Sequence, residues 1–480
     1  MKKFKLISLL LAIILAFGAF APSALALDEP RADDAEAIIL ADAKTGKILY
    51  SREATAQRSP ASLTKIMTVL LAVEAVERGE IDLEEMVTAD NDCRQGLGED
   101  SSTCGILPGE AMSFKDLLYC AMVHSANEAC NIIATRVSGS ISAFVELMNT
   151  RAAQLGCSST HFADTNGLSN ENHYSTAYDL FVMTQEAVKH DLFFTIANTV
   201  HYETAATNLS APRKLDNSNA LLTNDSIYSV NGGYLYPGAA GVKTGYTRAA
   251  GYCLISTAEK NGVKLLAVVM GCDGTLNSSS TDYGNFLDSV HLYDWGFENF
   301  AYRDLLSADT VLERRSVELA EDGGTVSLRA KEGANMLLAK DVTDADIEVK
   351  VNIKEDQLVA PIEAGQVLGS VEVTVRGETV HITELISNNS VSLSRAEVLK
   401  RNIRETLSKG WVKAAIIICI VFLVLYLALV ISYRRRRRQY LKQRRINEMK
   451  RRQERERRME EERRAQIPDF ELFSDDEIRH

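Results

Sequence analysis

Hydrophobic positions along this chain fall into four textures. The first is an apolar run from Leu6 to Phe20, preceded by Lys2, Lys3 and Lys5 and followed by Ala24-Leu25-Ala26. A basic start, a short apolar stretch and a small-x-small site predict a secretory signal over 1–26, with a mature start at Leu27. The second texture fills the body of the chain, where short apolar stretches alternate with turn residues. Ala37-Ile38-Ile39-Leu40, a turn at Lys44-Thr45-Gly46, and Lys47-Ile48-Leu49-Tyr50 predict a β-hairpin. Pro60 to Thr68 predicts a helix start with its apolar positions facing a core. Lys243 to Thr247, then Ala249 to Ile255, predict a strand, a turn and an apolar strand returning. The third texture covers 301–395. Ile347, Val349, Val351 and Ile353 alternate with polar residues, as do Val371, Val373 and Val375, with Gly365, Gly369 and Gly377 between them. Period two means half-buried strands, and the region reads as a small, separate β-sandwich. A polar connector over 396–411, expected to be helical, then leads to the fourth texture. From Val412 to Tyr433 the chain is apolar with one charge, Lys413, which is long enough to span a bilayer of roughly 30 Å. Arg434 to Arg438 follow at once, so the positive-inside rule places the tail, 434–480, in the cytoplasm and the body, 27–300 and beyond, outside it.

Charge changes this picture, because the formal net of −12 hides a split. Residues 434–480 hold 17 basic and 11 acidic side chains, which leaves 33 basic against 54 acidic in 27–433. The basic tail suits anionic lipid headgroups. Nucleic acid, the usual rival for an Arg-rich run, is not expected for a tail tethered to membrane. Glu and Arg interleave from Glu448 to Arg464, which predicts a solvent-exposed helix. Phe470, Leu472 and Phe473 then sit among acids after Pro468, as a short docking peptide for a cytoplasmic partner would. The bland reading is a solvated stop-transfer tail.

Of the eight cysteines, Cys419 lies in the apolar span and seven precede it. An odd count on the oxidising side leaves at least one unpaired or paired between molecules. Cys93 and Cys104 bracket a polar loop and are the expected disulfide, a closure of roughly 3 kcal/mol. Cys120 and Cys130 read as buried thiols. Neither the cysteines nor the eight histidines have metal-site spacing, and His173 reads as structural rather than as a ligand. No phosphate-binding glycine loop occurs, and no cofactor is expected.

Three motifs carry the chemistry: Ser62-Leu63-Thr64-Lys65, Ser125-Ala126-Asn127 and Lys243-Thr244-Gly245. Each alone is weak; their order and context together are specific. Positions i and i+3 of a helix share a face, so Lys65 can reach the Ser62 hydroxyl. Serine is a poor nucleophile until a base takes its proton, and lysine is such a base only when burial or a second cation lowers its pKa. Lys243 would be that cation. Ser125 and Asn127 would relay protons and hold a substrate amide. Thr244 offers a hydroxyl to a substrate carboxylate, and Gly245 lets a substrate backbone lie close to the strand.

With these residues in place, the segment from about 35 to 300 resembles the low-molecular-mass penicillin-binding proteins that act as serine-type D-alanyl-D-alanine carboxypeptidases (peptidase S11-like). Asn166-Gly167-Leu168, His173-Tyr174-Ser175-Thr176-Ala177 and Lys243-Thr244-Gly245-Tyr246-Thr247 match that family's signatures. The resemblance implies an α/β (α+β) domain of penicillin-binding, β-lactamase-like type, with an antiparallel sheet flanked by helices and the nucleophile at a helix start. It also implies an oxyanion hole from the backbone N–H groups of Ser62 and Tyr246. Peptidoglycan stem peptides and β-lactams are the implied ligands. One departure stands out: some members have an Arg in an Asn-Arg-Asn-Gly-Leu-Leu stretch, where this chain has Asn217-Ser218-Asn219-Ala220-Leu221-Leu222. Arg248 either replaces that cation in binding the substrate carboxylate or is a solvated surface residue.

Two other functions share parts of this pattern. A class A β-lactamase needs a Glu in a Glu-x-x-Leu-Asn stretch for deacylation, which this chain lacks. A catalytically silent, membrane-anchored cell-wall binder has no need of the intact Ser62, Lys65, Ser125, Asn127 and Lys243.

Overall fold

The computed structural model describes residues 27–99, 101–168, 171–229, 233–274 and 282–465. The signal segment 1–26 and the docking peptide after Pro468 lie outside the described residues.

The predicted hairpin forms. β1 (Ala37–Asp42) and β2 (Ile48–Arg52) pair antiparallel, with Ile39 opposite Ser51 and Leu40 opposite Tyr50. Two short ladders follow later in the chain: β3 (Met86–Thr88) with β4 (Ala111–Ser113), and β5 (His201–Glu203) with β6 (Lys214–Asp216). β7 (Ala239–Thr247), β8 (Gly251–Lys260) and β9 (Val263–Cys272) complete the main sheet, in the order β2-β1-β9-β8-β7 with every pairing antiparallel. Strand and return are in the predicted register, with Lys243 opposite Ile255 and Tyr246 opposite Tyr252.

The central strands are mostly apolar because both faces of the sheet are covered. Successive side chains of a strand point to opposite faces. Ala37, Ile39 and Ala41 of β1 and Leu266, Val268 and Met270 of β9 join one core; Ile38, Leu40, Leu265, Ala267 and Val269 join the other. The first core is closed by helices α1 (Lys65–Glu77), α2 (Phe114–Met122), α3 (Asn127–Ser138), α4 (Ile141–Gln154), α5 (Ala177–Ala187) and α6 (Asp191–Ala197). The second is closed by α7 (Gly284–Asn299), through Phe286, Leu292, Tyr293 and Phe297. α1 is buried nearly all round, from Lys65 to Val73, as a helix apolar on every side must be.

Beyond residue 300 the chain is β, with two 3-10 turns, until its final helices. β10 (Phe300–Leu306) pairs with β13 (Ala334–Ala339), and a six-stranded sheet runs β14-β16-β17-β12-β11-β15. Its strands are β11 (Val311–Glu318), β12 (Thr325–Ala330), β14 (Ile347–Ile353), β15 (Leu358–Val359), β16 (Val367–Val375) and β17 (Glu378–Ser387). Val371, Val373 and Val375 are buried as the alternation predicts, whereas Val349 is 38% exposed. The chain divides into two compact units. The first runs through Ser307 and takes in Glu332–Lys350 and Glu372–Ile382; the second holds Ala308–Lys331, Val351–Val371 and the chain from Thr383 onward. The connector is α8 (Arg395–Ser408), capped by Ser394, whose hydroxyl accepts from Glu397 N–H. α9 (Gly410–Arg464) is a single helix of 55 residues that is long and apolar enough to cross a membrane.

Candidate active site

Ser62 sits one step earlier than a helix start. Ala61–Thr64 form a 3-10 turn, and the α-helix begins at Lys65. Side chains at i and i+3 of a 3-10 turn eclipse one another, which brings Lys65 Nζ to 2.8 Å from Ser62 Oγ. The turn is held from three sides. Ala61 adopts a left-handed φ of 49°, and Gly167, itself at +91°, backs onto its carbonyl with no room for a side chain. Thr64 Oγ1 donates to Ala61 O at 2.8 Å. His173 Nδ1 accepts from Ala163 N–H at 3.0 Å, so the ring proton sits on Nε2 and is donated to Thr64 Oγ1 at 2.8 Å. Burial lowers the pKa of His173 and keeps it neutral.

Lys65 is fully buried and meets three oxygens: Ser62 Oγ, Asn127 Oδ1 at 2.6 Å and Asn166 O at 2.8 Å. A neutral amine has two N–H donors and one lone pair. Asn127 and Asn166 take the two donors, and the lone pair is left for the Ser62 hydroxyl. An ammonium fits the same shell as a donor to all three. Burial lowers the Lys65 pKa, against the pull of Cys130, Asp164 and Glu128. Lys243, 2% exposed, is lowered well below the usual lysine range, first by burial and then by the charge of Lys65. Desolvation, more than a second cation, is therefore what moves Lys65.

The remaining groups come from two other elements. Ser125, at φ 65° and nearly buried, lies in the loop before α3, and Asn127 begins that helix. β7 supplies Lys243, Thr244, Gly245 and Tyr246 at the edge of the sheet. A Cβ on Gly245 would meet Pro60 O at 3.2 Å and Ala61 Cβ at 3.3 Å. The missing side chain thus lets β7 pack against the Ser62 turn, a reason different from the substrate approach expected of it. Thr244 Oγ1 lies 2.6 Å from Ser218 Oγ. Tyr246 is exposed and stacks on Tyr252 with ring centres 4.2 Å apart. Arg248 is exposed in the turn after β7 and is not gathered into the buried cluster.

Sequence reasoning gave no role to Asn166 or Gly167, although the Asn166-Gly167-Leu168 signature marked the place. It treated Ser218 only as a missing arginine. The expected Cys93–Cys104 disulfide is not present: all eight cysteines are free thiols. Cys93 is buried in its own 3-10 turn, and its carbonyl accepts from Asn131 Nδ2. Among the described residues Glu74, Glu186 and His190 lie close enough to hold a metal. Arg151 already bridges the two carboxylates, at 2.7 and 3.0 Å, so a guanidinium meets their charge.

Comparison with known proteins finds relatives over most of the chain. The sequence profile of the D-alanyl-D-alanine carboxypeptidase family matches residues 24–274, and that of the penicillin-binding protein 5 C-terminal domain matches 300–392. The chain is 31% identical over 367 residues to D-alanyl-D-alanine carboxypeptidase DacF of Bacillus subtilis, covering 75% of this chain and 88% of the relative. It is 30% identical over 378 residues to DacC of Escherichia coli, covering 78% and 88%. Penicillin binding protein 5 from Haemophilus influenzae superposes with a TM-score of 0.60 at 27% identity, over 76% of this chain and 98% of that one. With a Ser-x-x-Lys turn, a Ser-x-Asn loop and a Lys-Thr-Gly edge strand on such a fold, the chain belongs to the D-alanyl-D-alanine carboxypeptidase family of serine enzymes.

Proposed function

We propose that this enzyme removes the terminal D-Ala from peptidoglycan stem peptides through an acyl-enzyme on Ser62, and that penicillins trap it there covalently. The observation that carries the reading is Lys65 Nζ, buried, 2.8 Å from Ser62 Oγ, with two carbonyl oxygens fixing its other hydrogens. Neutral Lys65 takes the Ser62 proton as Oγ attacks the carbonyl of the penultimate D-Ala. The backbone N–H groups of Ser62 and Tyr246 stabilise the oxyanion. The proton passes by way of Ser125 to the leaving amine, D-Ala departs, and water then hydrolyses the ester. The substrate adds along the edge of β7, as extended peptides add to open sheet edges. Asn127 holds its amide, Lys243 and Thr244 draw its terminal carboxylate, Gly245 keeps that edge close to Ser62, and Arg248 adds a long-range positive charge.

The same reading sets the topology. The signal 1–26 exports the domain over 27–300 and the β-domain over 301–395, the connector 396–411 reaches the bilayer, 412–433 spans it, and 434–480 stays in the cytoplasm beside anionic lipid or a partner. Support comes from the apolar stretch of α9 and the five arginines that follow it. The test is release of D-Ala from a D-Ala-D-Ala pentapeptide by the full chain in detergent micelles, with labelled penicillin mapped by mass. Label on Ser62 is expected. Labelling that persists unchanged in Ser62→Ala would overturn the assignment.

A further inference from the structure

β7 continues past its Lys-Thr-Gly motif into an aromatic cluster. Side chains of a strand alternate between faces, so Thr244 and Tyr246 share one face of this edge strand, opposite Leu254 and Tyr252 of β8. Leu254 belongs to the core closed by α7, which makes this the α7 face of the sheet. There the Tyr246 ring lies on that of Tyr252, with centres 4.2 Å apart and planes 24° from parallel. Tyr252 is held in turn. Tyr283 meets it edge-on at 4.9 Å and Tyr228 at 6.0 Å, and those two rings meet each other at 5.2 Å. Gly274 backs onto it as well, since a Cβ there would stand 2.5 Å from Tyr252 Cε2. One face of the Tyr246 ring is therefore covered and braced, while the residue as a whole is 47% exposed. Cross-strand stacking supports the sheet edge, but it also leaves the outer ring face bare and held in one orientation, beside the N–H assigned to the oxyanion.

We propose that the bare face of Tyr246, braced by Tyr252, is a subsite for the side chain of the residue that precedes the D-Ala pair, and that it selects a long, unbranched aliphatic side chain. The inference rests on the carboxypeptidase reading, which puts the terminal carboxylate at Thr244 and the scissile carbonyl at Tyr246 N–H. The peptide then runs on beyond Tyr246, and at roughly 3.3 Å per residue its next side chain comes level with the ring. An aromatic face so placed gains from methylene groups laid along it, in proportion to the apolar area covered. Glycine or alanine at that position leaves the ring wet. The acyl side chain of a penicillin, which hangs from the amide that Asn127 holds, reaches the same ring. Tyr246 thus acts twice, with its backbone on the reacting carbonyl and with its ring on the choice of substrate.

The test uses the full chain in detergent micelles and N-acetyl-X-D-Ala-D-Ala peptides in which X is glycine or L-norleucine. Norleucine should be favoured in kcat/KM by about 10-fold, the worth of a few half-covered methylene groups. Tyr246→Ala keeps the backbone N–H and should cut the preference to less than about 2-fold, while Tyr246→Phe, which keeps the ring face, should retain it. The preference is a ratio within one protein, so a general loss of rate in a variant does not disturb it. Penicillins with hexanoyl and acetyl side chains, compared by their rates of Ser62 labelling, should show the same preference and the same loss. D-Ala release without a norleucine preference, or a preference that survives in Tyr246→Ala, would overturn the subsite and leave the carboxypeptidase reading standing. Equal rates for the two peptides, with a faster rate for one carrying an N-acetylmuramyl sugar, would give the ring to glycan and overturn the assignment too. No D-Ala released from any peptide would fault the carboxypeptidase reading, and the subsite with it.

Discussion

Gly167 faces the carbonyl oxygen of Ala61 so closely that a Cβ on it would stand 1.8 Å from that oxygen. Gly167→Ala must therefore push the Ser62 turn away, in addition to a left-handed backbone cost of roughly 1–2 kcal/mol. Misplacing a reacting group by about 1 Å can cost ~10²-fold in rate. Penicillin acylation of Gly167→Ala should slow by about that factor, while circular dichroism still reports a folded chain. A wild-type acylation rate would mean that the turn holds itself.

Lys65→Arg keeps a cation in the pocket but removes the lone pair. Acylation should fall by ~10²–10⁴, the usual worth of a positioned base. In the wild type the acylation rate should climb with pH through the lowered Lys65 titration and then level off. A stopped-flow pH profile checks both statements, and a flat profile would point to a different base.

Lys243 carries a stability signature as well. Its folded pKa is depressed, so between that value and the ordinary 10.5 the unfolded chain binds more protons than the folded one. Stability therefore rises with pH across this window, and the cost of burying the charge is full below it. Lys243→Met should be more stable than wild type near neutrality, with the gap closing toward pH 10, and should lose most of its turnover. Denaturant melts at a series of pH values read this out; a constant gap would contradict it.

His173 follows the same sign. Its folded pKa lies below the ordinary 6.5, so stability is full above that value and is lost as pH falls through the folded pKa. His173→Gln should flatten the acid side of the melting profile and, by freeing Thr64, slow acylation. Loss of a buried partner of this kind costs about 1–3 kcal/mol at neutral pH. Unchanged acid sensitivity would move the titration elsewhere.

Ser218 and Thr244 share a short hydrogen bond, so Ser218 orients the hydroxyl proposed to meet the substrate carboxylate. Ser218→Ala should lower kcat/KM for a free-acid substrate about 3–10-fold, the value of one hydrogen bond of ~1 kcal/mol. Amidating the terminal D-Ala should abolish turnover in both forms. Equal hydrolysis of acid and amide would relocate the carboxylate clamp.

What the chain reveals by itself is the local part of this site. Ser62 and Lys65 are three residues apart, and the β1–β2 and β7–β8 hairpins join neighbouring segments, so periodicity and turn residues suffice to place them. What stays hidden depends on distant partners. Nothing around Asn166 announces that its carbonyl caps a lysine 101 residues earlier.

The unbroken course of α9 has a mechanical consequence. At 1.5 Å per residue, the stretch from Arg434 to Arg464 is a rod about 45 Å long, continuous with the apolar segment and without a joint. With the apolar segment in a bilayer as proposed, whatever meets the far end of that rod is kept at a set stand-off from the membrane, and a tilt of the span is carried outward as a sweep of the tip.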